Sequence, residues 1–267
     1  MRFAALALLV SVACEAAPRV YDRACDVASR RSSRGGVACS TVDGGSPPAY
    51  TLCDQMTSGM KSGAWSCVNG DITSPAASTL AFTGVNSPVA TVGSTCAAPS
   101  YQTFANDATD SHVVSTATMA TPAGDFTACI LFTPSITTGN TYVLLGHYPD
   151  ISPYVFTQEN NFAYFSAGDE KSVAIVGITQ DVKTLLCFQW NAGTKVGSYY
   201  INLGAGSSVA SAAANSSALT ATSQLLRFGA ESTSRNLAGR FFGGFLTHQV
   251  VPQLTLDAFF AATVTCP

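Results

Sequence analysis

Phe126-Thr-Ala-Cys-Ile-Leu-Phe-Thr-Pro134 decides the fold class of this chain. Its residues fall into two alternating sets, Phe126, Ala128, Ile130 and Phe132 against Thr127, Cys129 and Leu131, and a proline stops the run. A period of two belongs to a β-strand, in which successive side chains point to opposite faces. Both sets are mostly apolar, so the segment predicts a central strand with cover on each side. Phe241, Gly243 and Phe245 alternate in the same way with Phe242, Gly244 and Leu246.

Outward from that strand, short segments rich in β-branched and aromatic residues recur between turn residues, among them Tyr101–Phe104, Thr184–Trp190, Gly197–Leu203 and Ala262–Thr265. That spacing is typical of sandwiches and barrels. The best helical segment is Leu254–Ala262, with Thr255 as its cap and Asp257 in its first turn. Residues 205–223, rich in Ala and Ser, read as a low-complexity connection or a weak strand. The class is all-β: a two-sheet antiparallel sandwich with a loop-rich, disulfide-tied N-terminal region.

Composition narrows the function classes. Of 267 residues 47% are apolar, ample for a core, while only 11% are charged, so Ser, Thr, Asn, Gln and Gly must build the surface. A net charge of −3 provides no general attraction for nucleic acid or an anionic membrane. The basic cluster at Arg19, Arg23, Arg30, Arg31 and Arg34 reads as a solvated arm.

Residues 1–17 have a charged start, a short apolar run and small residues at a plausible cut, which predicts a secretory signal peptide; no segment is long and apolar enough to span a membrane. Residues 18–95 form a cysteine-rich region and residues 96–267 the sandwich domain. In an oxidising compartment the nine cysteines should pair. Removing Cys14 with the signal leaves Cys25, Cys39, Cys53, Cys67, Cys96, Cys129, Cys187 and Cys266, with neighbour pairing of Cys25 to Cys39 and Cys53 to Cys67 as the simplest scheme. Retaining Cys14 as the first mature residue would instead make it a lipid anchor, so a periplasmic or lipid-anchored location stands as the alternative to plain secretion.

Four stretches carry a family resemblance. They are Gly124-Asp-Phe-Thr-Ala-Cys-Ile-Leu-Phe-Thr-Pro134, Tyr142-Val-Leu-Leu-Gly146, the hairpin from Leu186-Cys-Phe-Gln-Trp-Asn-Ala-Gly-Thr194 to Ser198-Tyr-Tyr-Ile-Asn202, and Leu226-Arg-Phe-Gly229 followed by Gly239-Arg-Phe-Phe-Gly-Gly-Phe-Leu-Thr247. In this order they resemble the concanavalin A-like jelly roll of the laminin G-like superfamily, over about residues 97–267. Asn202 precedes Leu203 where the family has glycine, and Gly244, Phe245 and Leu246 replace an acidic pair. Residues 18–95 match no family.

The resemblance implies a lectin-like, carbohydrate-binding module and brings glycosidases into view. Retaining hydrolysis needs two carboxyl groups about 5 to 5.5 Å apart. Relatives with that activity space acidic residues alternately along one strand, and this chain has no such strand. Asp107 and Asp110 have odd spacing, and Asp169 and Glu170 are adjacent. No Gly-x-Ser-x-Gly elbow appears, and His112, His147 and His248 have no companion pattern. No enzyme is expected. No cofactor is certain; the one metal considered is calcium, which family members hold at the sandwich rim. Asp107 and Asp110 in Asn106-Asp-Ala-Thr-Asp110 are its candidate ligands, and a plain polar turn is the competing reading. Tyr148, Tyr154, Asn160 and Asn161 are the candidate ligand contacts, since sugar recognition combines aromatic faces with amides. The expected partner is a glycan or an extracellular protein surface, with no nucleic acid. A structural or adhesive component of an envelope, appendage or virion is the alternative, and a divergent glycosidase comes last.

Overall fold

A computed structural model describes residues 50–264, apart from 87–88, 94, 105–110, 121–123, 136–141, 148–153, 159–161, 167–169, 175–176, 205, 215–222 and 233–234. Its strands are β1 (Trp65–Asn69), β2 (Phe82–Val85), β3 (Val89–Thr91), β4 (Tyr101–Phe104), β5 (His112–Ala120), β6 (Phe126–Pro134), β7 (Tyr142–His147), β8 (Tyr154–Gln158), β9 (Phe162–Ser166), β10 (Glu170–Ala174), β11 (Thr184–Asn191), β12 (Val196–Asn202), β13 (Ser207–Ser211), β14 (Ser223–Phe228), β15 (Ala230–Ser232), β16 (Arg235–Asn236) and β17 (Gly239–Thr247). One sheet runs β13-β12-β11-β6-β17-β4-β3, with β1 also paired to β17, and the other runs β10-β9-β8-β7-β14-β5-β2. Every pairing is antiparallel. The chain is a two-sheet antiparallel sandwich of jelly-roll type, as its alternation predicts.

The decisive strand, β6, sits between β11 and β17 and is buried along its whole length. Phe126, Ala128, Ile130 and Phe132 face the space between the sheets with Phe188, Trp190, Phe228 and Phe241. Its other face is covered too. Cys129 and Leu131 pack against Leu52, Met56, Met60, Phe245, Leu256, Phe259 and Phe260. A single strand thus divides two cores, which is why both of its side-chain sets are apolar.

The outer cover has two parts. Helix α1 (Gln253–Val264) contributes Leu256, Phe259, Phe260 and Thr263, spaced to share one helical face. The segment from Leu52 to Met60 supplies the rest, tied to β1 by the Cys53–Cys67 disulfide. That bond matches the neighbour pairing expected from sequence. Cys129 and Cys187 form a second bond between directly opposed positions of β6 and β11, with Cα atoms 4.0 Å apart. Cys96 is also disulfide-bonded. Cys14, Cys25, Cys39 and Cys266 lie outside the described residues.

Three sequence expectations need correction. The strand expected at Ala262–Thr265 is corrected over residues 262–264, which belong to α1; Thr265 lies outside the described residues. Thr255 does not cap that helix: the chain turns helical at Pro252, whose carbonyl accepts the Thr255 and Leu256 N–H groups. Asp257 instead ties the helix to β12 by accepting a hydrogen bond from the Tyr200 hydroxyl at 2.8 Å. Finally, simple alternation fails in β17, where a register shift between Phe241 and Gly243 inserts a bulge. Phe241 and Leu246 therefore enter the inner core, while Phe242 and Phe245 enter the outer one. At the bulge Gly243 has φ +140°, and a Cβ there would sit 2.6 Å from the Val68 carbonyl oxygen, so only glycine fits the approach of β1. Residues 65–91, grouped by composition with the cysteine-rich region, contribute β1, β2 and β3 to the two sheets.

Candidate functional site

The outer cover leaves part of the sheet face open, and the transition is visible along β6. Cys129 and Leu131 lie under the apolar cap, whereas the next outward residue, Thr133, lines a cleft of about 480 Å3. Register builds the cleft. Arg240 of β17 stands opposite Thr133 of β6 and Thr103 of β4, and Phe242 follows two residues along the same strand. Tyr101 comes from β4, and Thr91 and Val92 from the end of β3. Asp181 and Lys183 come from the loop before β11, held against β6 by the Asp181 N–H donating to the Pro134 carbonyl at 2.8 Å.

Two aromatic rings each face a cation. The Lys183 ammonium lies 4.7 Å from the centre of the Phe242 ring, and the Arg240 guanidinium lies 5.3 Å from that of Tyr101. The rings themselves meet at 5.7 Å, tilted by 58°. Phe242 is buried and anchors the group in the outer core, while Val92, 80% exposed, forms an apolar wall. Arg240 and Asp181 are exposed, and Lys183 is half-buried.

Lys183 carries the sharpest electrostatic feature. Burial lowers its pKa below the ordinary lysine value, because desolvation disfavours the charged form. Its ammonium donates to the Thr263 carbonyl in the last turn of α1 at 3.5 Å, where the helix dipole favours a cation. Among the described residues neither Lys183 nor Arg240 has a carboxylate in ion-pair contact. An ammonium offers three donors. Among the described residues one carbonyl and one ring face meet it, which leaves donor capacity for a ligand.

Asp107, Asp110, Tyr148, Asn160 and Asn161 lie outside the described residues. Tyr154 opens β8, its backbone opposite Ser166 of β9. Among the described residues no three His, Cys, Asp or Glu side chains are grouped as a metal site. No described helix is long and apolar enough to cross a membrane. Sequence reading missed Tyr101, Asp181, Lys183, Arg240 and Phe242 because they sit on three separate segments that only strand register and the loop before β11 bring together. The one available signal was Arg240, a charged residue in an otherwise apolar closing strand.

No family model matches the chain, and no curated protein does. Solved structures match its fold. The binding domain of botulinum neurotoxin DC, in complex with SialylT, superposes with a TM-score of 0.55 and 10% identity over 74% of this chain and 50% of that one. The binding domain of Paraclostridial Mosquitocidal Protein 1 gives 0.53 and 10% over 74% and 51%. Botulinum neurotoxin type C, whose cell entry depends on interaction with two ganglioside molecules, gives 0.55 and 10% over 78% and 53%. The chain spans about half the length of these structures. At such identities the likeness is one of fold, a jelly-roll-like β-sandwich.

Proposed function

We propose that the chain is a non-catalytic recognition module that binds a glycan or protein surface outside the cytoplasm, using the cleft between β3, β4, β6 and β17. The observation that carries this reading is the pair of cation-faced aromatic rings, Lys183 on Phe242 and Arg240 on Tyr101, lining one open cleft. Its volume lies within the range of small-ligand sites, and its mixture of apolar wall, hydroxyls and charged groups is what such sites contain. A sandwich of the same kind recurs in toxin binding domains, which supports recognition over chemistry. The buried Cys53–Cys67 and Cys129–Cys187 bonds support export to an oxidising compartment, with residues 1–17 as the leader. Laminin G-like membership, a calcium ion held by Asp107 and Asp110, and a rim surface including Tyr148, Tyr154, Asn160 and Asn161 belong to the same reading.

An array of glycans and extracellular proteins, probed with and without chelator, tests it. Specific retention that is lost when Val92→Trp fills the cleft is the expected result. Silence across a broad panel would favour a scaffold role. Release of sugar from a polysaccharide panel, abolished by neutralising one carboxylate, would overturn the non-catalytic reading.

A further inference from the structure

The cleft's charge pattern goes further than binding in general. Two cations, Lys183 and Arg240, border it with one carboxylate, Asp181. Among the described residues, the half-buried Lys183 ammonium has the Thr263 carbonyl and the Phe242 ring beside it. An incoming anion would give that ammonium a charge-assisted hydrogen bond and compensate its burial. Arg240 is exposed and, among the described residues, without a carboxylate partner, so its guanidinium can hold a planar anion through two N–H groups while it faces the Tyr101 ring. Asp181, by contrast, accepts hydrogen bonds and repels a second negative charge. Thr91 and Thr133 add hydroxyls, and Val92 and Pro99 offer apolar surface to C–H groups.

We infer that the cleft takes a saccharide unit bearing a single anionic group, a carboxylate or a sulfate, with the anion at Lys183 and Arg240 and neighbouring hydroxyls at Asp181, Thr91 and Thr133. This rests on the cleft being a recognition site. A neutral sugar leaves Lys183 uncompensated, and a polyanion meets Asp181. An acidic peptide supplies the anion without the ring of hydroxyls that Asp181 and the threonines are placed to meet.

The test is titration of the full chain with oligosaccharides ending in glucuronic acid or N-acetylneuraminic acid, with their carboxyl-reduced counterparts, with a sulfated counterpart and with a polyglutamate peptide. Affinity for the anionic sugars should exceed that for the reduced ones by roughly tenfold or more, the size of a lost charged hydrogen bond. Lys183→Gln and Arg240→Gln should each remove most of that advantage, with an unchanged melting temperature showing that the fold is spared. The carboxylated and sulfated arms decide which anion is preferred. Equal affinity for the reduced sugars, no effect of Lys183→Gln, or preference for polyglutamate overturns the inference. If neutral sugars bind and Val92→Trp abolishes that binding, only the anion assignment falls. If nothing on the array depends on Val92, the recognition reading falls with it.

Discussion

Thr127→Val is the most telling single change outside the cleft, because hydrophobic and hydrogen-bond reasoning give opposite signs for it. Thr127 is fully buried on the outer face of β6. Its hydroxyl donates to the Gln249 carbonyl at 2.8 Å and accepts from the Val251 N–H at 2.9 Å, with Gln189 Nε2 a further donor at 3.3 Å. These bonds fix the segment that leads into α1 and so hold the outer cover on the sheet. Replacing the hydroxyl by a methyl gains about 0.8 kcal/mol of burial. It also strands the Val251 N–H in a dry site, at about 1–3 kcal/mol, and loses a net hydrogen bond worth about 1 kcal/mol. Gln249 lies nearer solvent, so its carbonyl rehydrates at little cost. The balance is a destabilisation of about 2 kcal/mol, or a fall in Tm of about 4–8 °C for a chain of this size. Thermal unfolding by circular dichroism, with disulfides intact, reads it. Thr127→Ser keeps the network and loses only a methyl, so it should fall by about half as much. If the valine variant melts at or above the parent while the serine variant melts below it, packing alone holds this junction and the network argument is wrong.

Phe259→Ala removes a ring that meets Phe245 edge-on at 5.2 Å in the outer core; a loss of about 3–5 kcal/mol in urea unfolding is expected, with new dye-binding apolar surface. Gly244→Ala places a Cβ 2.6 Å from the buried Phe228 ring and should cost about 1–3 kcal/mol, whereas Gly124→Ala, with nothing within 4 Å, should stay within about 0.5 kcal/mol in the same assay. Replacing Cys53 and Cys67 together by alanine opens a loop with a separation of 14 residues and should cost about 3 kcal/mol by thermal melting. For Lys183, whose pKa is lowered by desolvation, the charged form dominates below that pKa; affinity for an anionic sugar should fall as pH rises, and do so at lower pH than an ordinary lysine would give. Calorimetric titration across alkaline pH, run in parallel on the Lys183→Gln variant, isolates the lysine from Arg240 and Asp181, the other charged groups lining the cleft.

The two-layer architecture was legible because β6 states it locally: a nine-residue strand with apolar residues on both faces requires cover on both. What covered the outer face was harder to read. The segment Leu52–Met60 has no strand or helix periodicity; it is held in place by Cys53–Cys67 and by Asn69 Oδ1 accepting the Cys53 N–H at 2.9 Å. Both are contacts between residues distant in sequence. The β17 bulge was invisible for a different reason. Two glycines beside two phenylalanines fit either phase of a strand, and the choice was made by β1, whose approach needs glycine at position 243.

The cleft shows how a core and a site can share one face without sharing a sequence signal. Along β6 the outward series runs from Cys129 and Leu131 to Thr133, and along β17 it runs from Phe245 and Phe242 to Arg240. In each strand the change from cap contact to cleft wall takes only two or three residues, too few to alter a compositional window. Phe242 belongs to both, with one side in the outer core and the other under Lys183. Tyr101, Arg240 and Phe242 are thereby mounted on β4 and β17, and Lys183 on a loop held against β6, which in the proposed recognition role limits the ordering cost of association. Ligand binding should therefore shift side-chain resonances at Tyr101, Lys183 and Arg240 while leaving the β6 and β17 backbone amides in place. Broad movement of those amides would mean that the sheet, and not a preformed cleft, adapts to the ligand.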